Sequence, residues 1–190
     1  MKKLMVMLGA IACAIGVQAA TVSWALTGVN NGGSGVNGYA YVFSNKVGSF
    51  TTPDALKTEL AKYKTASAMQ AFLDANSLTA LNSAVSGGAV DVSGVDLSSS
   101  GLPAAQSGTR IFAVVFDSAT ITDDSKYFVT ATSSGVKTPA ASTTNNAKFT
   151  IADQASATAD SSAWAAVPEP TSGLLLLLGM AGLALKRKRA

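Results

Sequence analysis

The stretch Arg110-Ile111-Phe112-Ala113-Val114-Val115-Phe116 constrains this chain most, because as a strand it is apolar on both faces. Ile111 and Val115 point one way, while Phe112, Val114 and Phe116 point the other. Burial on both faces puts such a strand in the middle of a fold. Thr122-Asp123-Asp124-Ser125 then has turn composition, and Lys126 to Thr132 alternates as the expected antiparallel partner. A polar link through Ser142 to Asn146 leads to a final short strand, Lys148 to Ile151. Upstream, Val22, Trp24 and Leu26 alternate with small or polar residues, and Tyr39, Tyr41 and Phe43 share one face of a second run. These two runs are expected to pair as a hairpin. The cluster Asn30 to Gly35 between them reads as its tip. A phosphate-cradling loop would need a following Lys-Ser/Thr and a helix, and neither is present.

From Thr52 the apolar period changes. Thr52 can cap, Pro53 suits a first helical position, Asp54 complements the helix dipole, and Leu56, Leu60 and Tyr63 fall on one face. Met69, Phe72 and Leu73 continue the pattern, and Ser77 can cap a third piece carrying Leu78, Leu81 and Val85, ended by Gly87-Gly88. Residues 53–86 are therefore predicted as short amphipathic helices covering the sheet. In residues 87–108, Val90, Val92 and Val95 are spaced too sparsely for a long strand, and Asp91 and Asp96 read as turn residues rather than calcium ligands, lacking a closing Glu. The expected fold class is mainly β: a single antiparallel, sandwich-like domain over residues 20–152 with a helical insertion at about 53–86. An Ala/Ser-rich linker over 153–166 is expected to follow it.

Both chain ends are of a different kind. Met1-Lys2-Lys3, the apolar run Leu4 to Val17 and Gln18-Ala19-Ala20 form a signal-peptide pattern, with Val17 and Ala19 as the small residues before a cut after Ala19. Ala10-Ile11-Ala12-Cys13 distantly resembles a lipoprotein box; otherwise Cys13 is a small hydrophobe in the removed segment. At the other end, Pro168 and Pro170 cannot donate backbone hydrogen bonds and push Val167 and Glu169 towards extended geometry, giving an accessible strap. Gly173 to Leu185 carries no charge, so in a membrane it must be helical, about 20 Å long against a hydrocarbon core of roughly 30 Å. Lys186-Arg187-Lys188-Arg189 would hold that end on the cytoplasmic side. The net charge of +3 is concentrated in these ends, since Ala20 to Ala166 holds eight cations and ten carboxylates. Such a balance argues against a nucleic-acid surface.

Pro-Glu-Pro at 168–170, a short Leu/Gly/Ala run and a terminal basic cluster resemble the PEP-CTERM sorting signal of bacterial proteins handled by exosortase, a membrane-embedded cysteine transpeptidase-like enzyme. The resemblance covers residues 167–190. It implies export, transient retention by the C-terminal membrane helix, and processing at or near Val167, Pro168, Glu169 and Pro170, with Lys186, Arg187, Lys188 and Arg189 as the membrane stop. Release or attachment at the cell surface or an exopolysaccharide matrix would follow. The implied partners are signal peptidase, exosortase, the membrane and exopolysaccharide.

Once residues 1–19 are removed, the body has neither Cys nor His. Disulfides, Cys/His zinc sites, iron–sulfur clusters and Ser-His-Asp or Cys-His nucleophile systems are thereby excluded. An enzyme using two carboxylates stays open in principle, but the body's one glutamate, Glu59, sits among Lys57, Lys62 and Lys64 and reads as a solvated helix face. The expectation is a non-catalytic surface or matrix protein with no cofactor and no metal. The alternative is a carbohydrate-binding module in which Trp24, Tyr39 or Tyr41 stacks on sugar rings; it requires exposed rings, whereas a core role requires buried ones.

Overall fold

The computed structural model describes residues 19–151 and 164–167. Ten strands are β1 (Thr21–Leu26), β2 (Asn30–Asn31), β3 (Ser34–Gly35), β4 (Gly38–Ser44), β5 (Ser83–Val85), β6 (Val90–Asp96), β7 (Ile111–Phe116), β8 (Lys126–Ala131), β9 (Asn146–Ile151) and β10 (Ala165–Ala166). The helices are α1 (Pro53–Leu60), α2 (Ala66–Asn76) and the single turn α3 (Leu97–Ser100), with a 3-10 turn at Thr79–Leu81. A three-stranded sheet in the order β6-β1-β9 faces a five-stranded sheet in the order β10-β8-β7-β4-β5. The expected mainly β architecture with a few helices is therefore present.

β7 lies inside the larger sheet, and all six of its residues are buried. Ile111, Ala113 and Val115 pack with Ala40, Val42 and Phe128 against Val22, Trp24, Leu26, Phe149 and Ile151 of the smaller sheet. Phe112, Val114 and Phe116 turn the other way, joining Tyr41, Phe43 and Val129 beneath Leu56, Leu60, Met69, Phe72 and Leu73 of the helices. The strand predicted to need cover on both faces has a sheet on one side and helices on the other. At about 25 cal/mol per Å² of apolar surface, this double burial dominates the stability of the domain.

α1 starts as its sequence predicts: Thr52 Oγ1 accepts from Ala55 N at 3.2 Å, with Pro53 in the first turn and Leu56 and Leu60 buried. α2 is capped by Thr65, whose Oγ1 accepts from Ala68 N at 3.2 Å, while Asp123 Oδ1 accepts from Ala66 N at 2.8 Å. The sequence expectation departs from the structure at Ser77, which closes α2 by donating its N–H to Leu73 O. Leu78 N then donates to Val42 O, and Asn82 Oδ1 accepts from Val42 N. Tied to β4 in this way, the expected third helical piece is reduced to the 3-10 turn at Thr79–Leu81, and the chain runs on as strand β5, pairing Ser83, Ala84 and Val85 with Ala40, Tyr39 and Gly38. Gly87 and Gly88, at φ 55° and 79°, form the tip of a hairpin leading into β6. A positive φ at both central residues is what a tight hairpin turn demands.

The sparse valines of residues 90–95 do form a seven-residue strand. Its pairing with β1 shifts between Val22↔Val95 and Trp24↔Val92, so Ser93 and Gly94 together oppose Ser23. This bulge, with Gly94 at φ 70° and its N–H donated to Ser23 Oγ, brings Val92 and Val95 onto the same core although an odd spacing separates them. Asp91 and Asp96 are accordingly exposed strand residues opposite Ala25 and Thr21, not turn residues.

Two further expectations about pairing are corrected. β1 and β4 form no hairpin, because each lies in a different sheet and Gly32-Gly33 instead closes the small β2–β3 hairpin. Neither is the domain wholly antiparallel: β9 runs parallel to β1, in register from Thr21↔Asn146 to Leu26↔Ile151. The polar link after β8 crosses from one sheet to the other, so the last strand of the sandwich enters beside the first. Among the described residues no helix is long and apolar enough to cross a membrane. The expected membrane run Gly173 to Leu185 and the signal segment up to Gln18 lie outside the described residues.

Candidate functional site

The feature that bears on function is the short segment Trp164 to Val167, which the sequence places at the end of a linker and the start of the strap. Here it is an edge strand. Ala165 pairs with Tyr127 and Ala166 with Lys126, and Val167 N donates to Ser125 O at 2.9 Å. Trp164 enters the core between the sheets, its ring edge-on to Phe128 at 4.8 Å and its Nε1 donating to Asn30 O at 3.0 Å. Val167, at 0% exposure, enters the other core beneath the helices. Positions three apart in a strand face opposite ways, so the two side chains straddle the sheet edge. Ala165 and Ala166 between them stay exposed.

The seat of this segment is itself braced. Ser125 is buried, and its Oγ accepts from Thr122 N at 2.9 Å and lies 2.8 Å from Ser118 Oγ. Asp117 Oδ1 accepts from Lys126 N at 2.8 Å, closing the turn between β7 and β8. Tyr127 packs on Phe116 at 5.6 Å, and burial pushes its phenol pKa up. Sequence reasoning missed this anchor. Its only signal is a tryptophan, the one aromatic residue in a run of Ala and Ser.

Of the residues singled out for processing, Val167 is thus part of the fold, while Pro168, Glu169, Pro170, the cluster Lys186 to Arg189, and Val17 lie outside the described residues. Residues 152–163, the rest of the expected linker, lie outside them as well. Ala19 is exposed and Ala20 buried, with Ala20 O accepting from Leu97 N at 2.8 Å.

The aromatics named as sugar platforms face inward. Trp24 is fully buried with its Nε1 donating to Leu81 O at 2.8 Å, and Tyr41 is buried with its hydroxyl accepting from Gln70 Nε2 at 2.7 Å. Tyr39 is half-buried, tilted against Tyr41 at 4.9 Å. All the aromatic residues of the chain fall within the described residues, and every one is buried or half-buried. Glu59 accepts from Lys62 Nζ at 2.6 Å and from Tyr63 OH at 3.3 Å. The lysine hydrogen bond holds its carboxyl below the usual carboxylate range, the reverse of what a general acid needs. Among the described residues no three His, Cys, Asp or Glu side chains converge to hold a metal ion.

No curated protein and no solved structure matches the chain. Beginning inside the docked strand, at Ala166, residues 166–189 match the family model of the PEP-CTERM protein-sorting motif. The chain carries, starting at its last edge strand, a C-terminal sorting motif that marks it for processing by an exosortase.

Proposed function

We propose that this is an exported cell-surface or exopolysaccharide-matrix protein, trimmed by exosortase at its C-terminal motif, whose body is structural and non-catalytic. The sorting motif at residues 166–189 carries this reading. The body supports it in a different way: its aromatics fill two cores, and its one glutamate is neutralised by a lysine. Sugar stacking draws no support from Trp24 and Tyr41, whose rings lie buried, and would rest on the half-buried Tyr39.

The test is to express the full chain in a host with its exosortase and in the same host lacking it, and to weigh the exported product. Trimming should leave a C-terminus between Pro168 and Thr171 and remove Lys186 to Arg189. Replacing Pro168, Glu169 and Pro170 by alanine should keep the full-length chain at the membrane. A mature product that retains the basic cluster when exosortase is present would refute the proposal.

A further inference from the structure

We propose that Trp164 and Val167 are positioning residues for the sorting reaction: they lock the start of the tail to the sheet edge, so that cutting falls beyond Val167 and the trimmed body keeps β10. This deepens the sorting reading and rests on it. Proteolytic enzymes bind substrate backbone in an extended, unpaired form. Ala165 and Ala166 are paired to β8, Val167 N–H is held by Ser125 O, and both flanking side chains are in the core. None of these peptide groups can enter an active site until the edge strand is lifted, which removes Trp164 and Val167 from two cores at once.

The same clip sets the distance between body and bilayer. Residues 168–172 separate Val167 from the apolar run, and at about 3.4 Å per residue they reach at most ~20 Å. Were the tail free from the end of β9 at Ile151, the tether would be residues 152–172, extending to about 70 Å. The clip therefore keeps the edge of the five-stranded sheet close to the membrane while the motif is presented. In sequence, Pro168 follows directly on Val167, the residue the clip holds.

Two measurements on the purified full chain in mild detergent test the clip without exosortase. In hydrogen exchange, the Val167 amide should be protected at least ~100-fold over an unstructured one. Elastase, which cuts after small side chains, should cleave at Ala165, Ala166 and Val167 about tenfold more slowly in the wild type than in Val167→Ser, which unseats the anchor by putting a hydroxyl and a small cavity into the apolar core. Trp164→Ser should do the same, and a far-UV spectrum of each variant identifies any that fails to fold. Unprotected exchange at Val167, or equal cleavage rates in wild type and a folded Val167→Ser, would overturn the proposal. In the host with exosortase, the wild-type product should end at or beyond Pro168. A product ending before Val167 would also overturn it, whereas complete absence of trimming would count against the sorting reading alone and leave exchange and cleavage to decide on the clip.

Discussion

Trp24→Phe separates a core tryptophan from a sugar platform. The indole is fully buried on β1, and its Nε1 bridges the smaller sheet to the 3-10 turn through Leu81 O at 2.8 Å. Phenylalanine keeps a flat ring but has no donor. Leaving a buried carbonyl short of its partner costs about 1–3 kcal/mol. The indole exceeds a phenyl ring by about 40 Å³, and at ~24 cal/mol per Å³ of cavity this adds about 1 kcal/mol. The expected loss is therefore about 2–4 kcal/mol, which for a domain of this size lowers the melting temperature by about 5–15 °C. Thermal unfolding of wild type and variant, followed by circular dichroism in the same detergent, measures it. A melting temperature within about 1 °C of wild type would refute the placement of the indole in the core. A surface platform predicts that null result, because an exposed indole adds little to folding stability that a phenyl ring would lack.

Other changes should act in the opposite direction or through pH. Thr132 is buried on the strand side facing Ile111, and its Oγ1 has no hydrogen-bond partner among the described residues. Thr132→Val should therefore raise stability by about 1 kcal/mol in urea unfolding. Ala105 is held at φ 55° by its N–H bond to Pro139 O, so Ala105→Gly should stabilise by roughly 1 kcal/mol, read in the same assay. Burial raises the pKa of Tyr41 and Tyr127 above 10.0, so the unfolded chain loses these protons first as pH rises. Their contribution should be fully present below pH ~10 and be lost as pH climbs from there through the folded values, visible as a falling melting temperature that Tyr127→Phe makes shallower.

Much of the larger sheet is legible from residue patterns because each face of β7 and β4 has its own apolar set, and a strand with two such sets leaves little choice of place. The caps of α1 are legible for the same local reason: Thr52, Pro53 and Asp54 each satisfy a need that arises within one turn. What the pattern hides is non-local. The bulge at Ser93-Gly94 breaks the period that would have marked β6, and only the partner β1 makes sense of it. The hairpin expected between β1 and β4 fails because Gly32-Gly33 turns back a two-residue ribbon first, releasing β1 to pair with β6 and β9. At the candidate site, the sorting motif is readable as a local word, while its anchor is not. Trp164 amid Ala and Ser has the composition of a linker, and its partners, Asn30 and Phe128, lie far away in sequence.

The anchor also connects the two ends of the body. If residues 1–19 are removed as the signal-peptide pattern expects, the new terminus is Ala20, which is 2% exposed and packs in the core between the sheets, where Trp164 also lies. The expected first cut therefore adjoins a buried residue, and the matched motif, which begins at exposed Ala166, takes in another at its second position, Val167. A signal peptidase needs Ala20 in extended, accessible form, so its cut must precede the docking of β1. At the other end the requirement is reversed. Pairing to β8 withdraws Trp164 to Val167 once the domain has folded, so a C-terminal cut on the finished domain has to fall after Val167 in sequence. One fold thus imposes an order, with the N-terminal cut before β1 docks and the C-terminal cut compatible with the finished domain. Ala20 would then be a terminus packed in the core, and a product ending between Pro168 and Thr171 would carry only a few residues past the buried Val167.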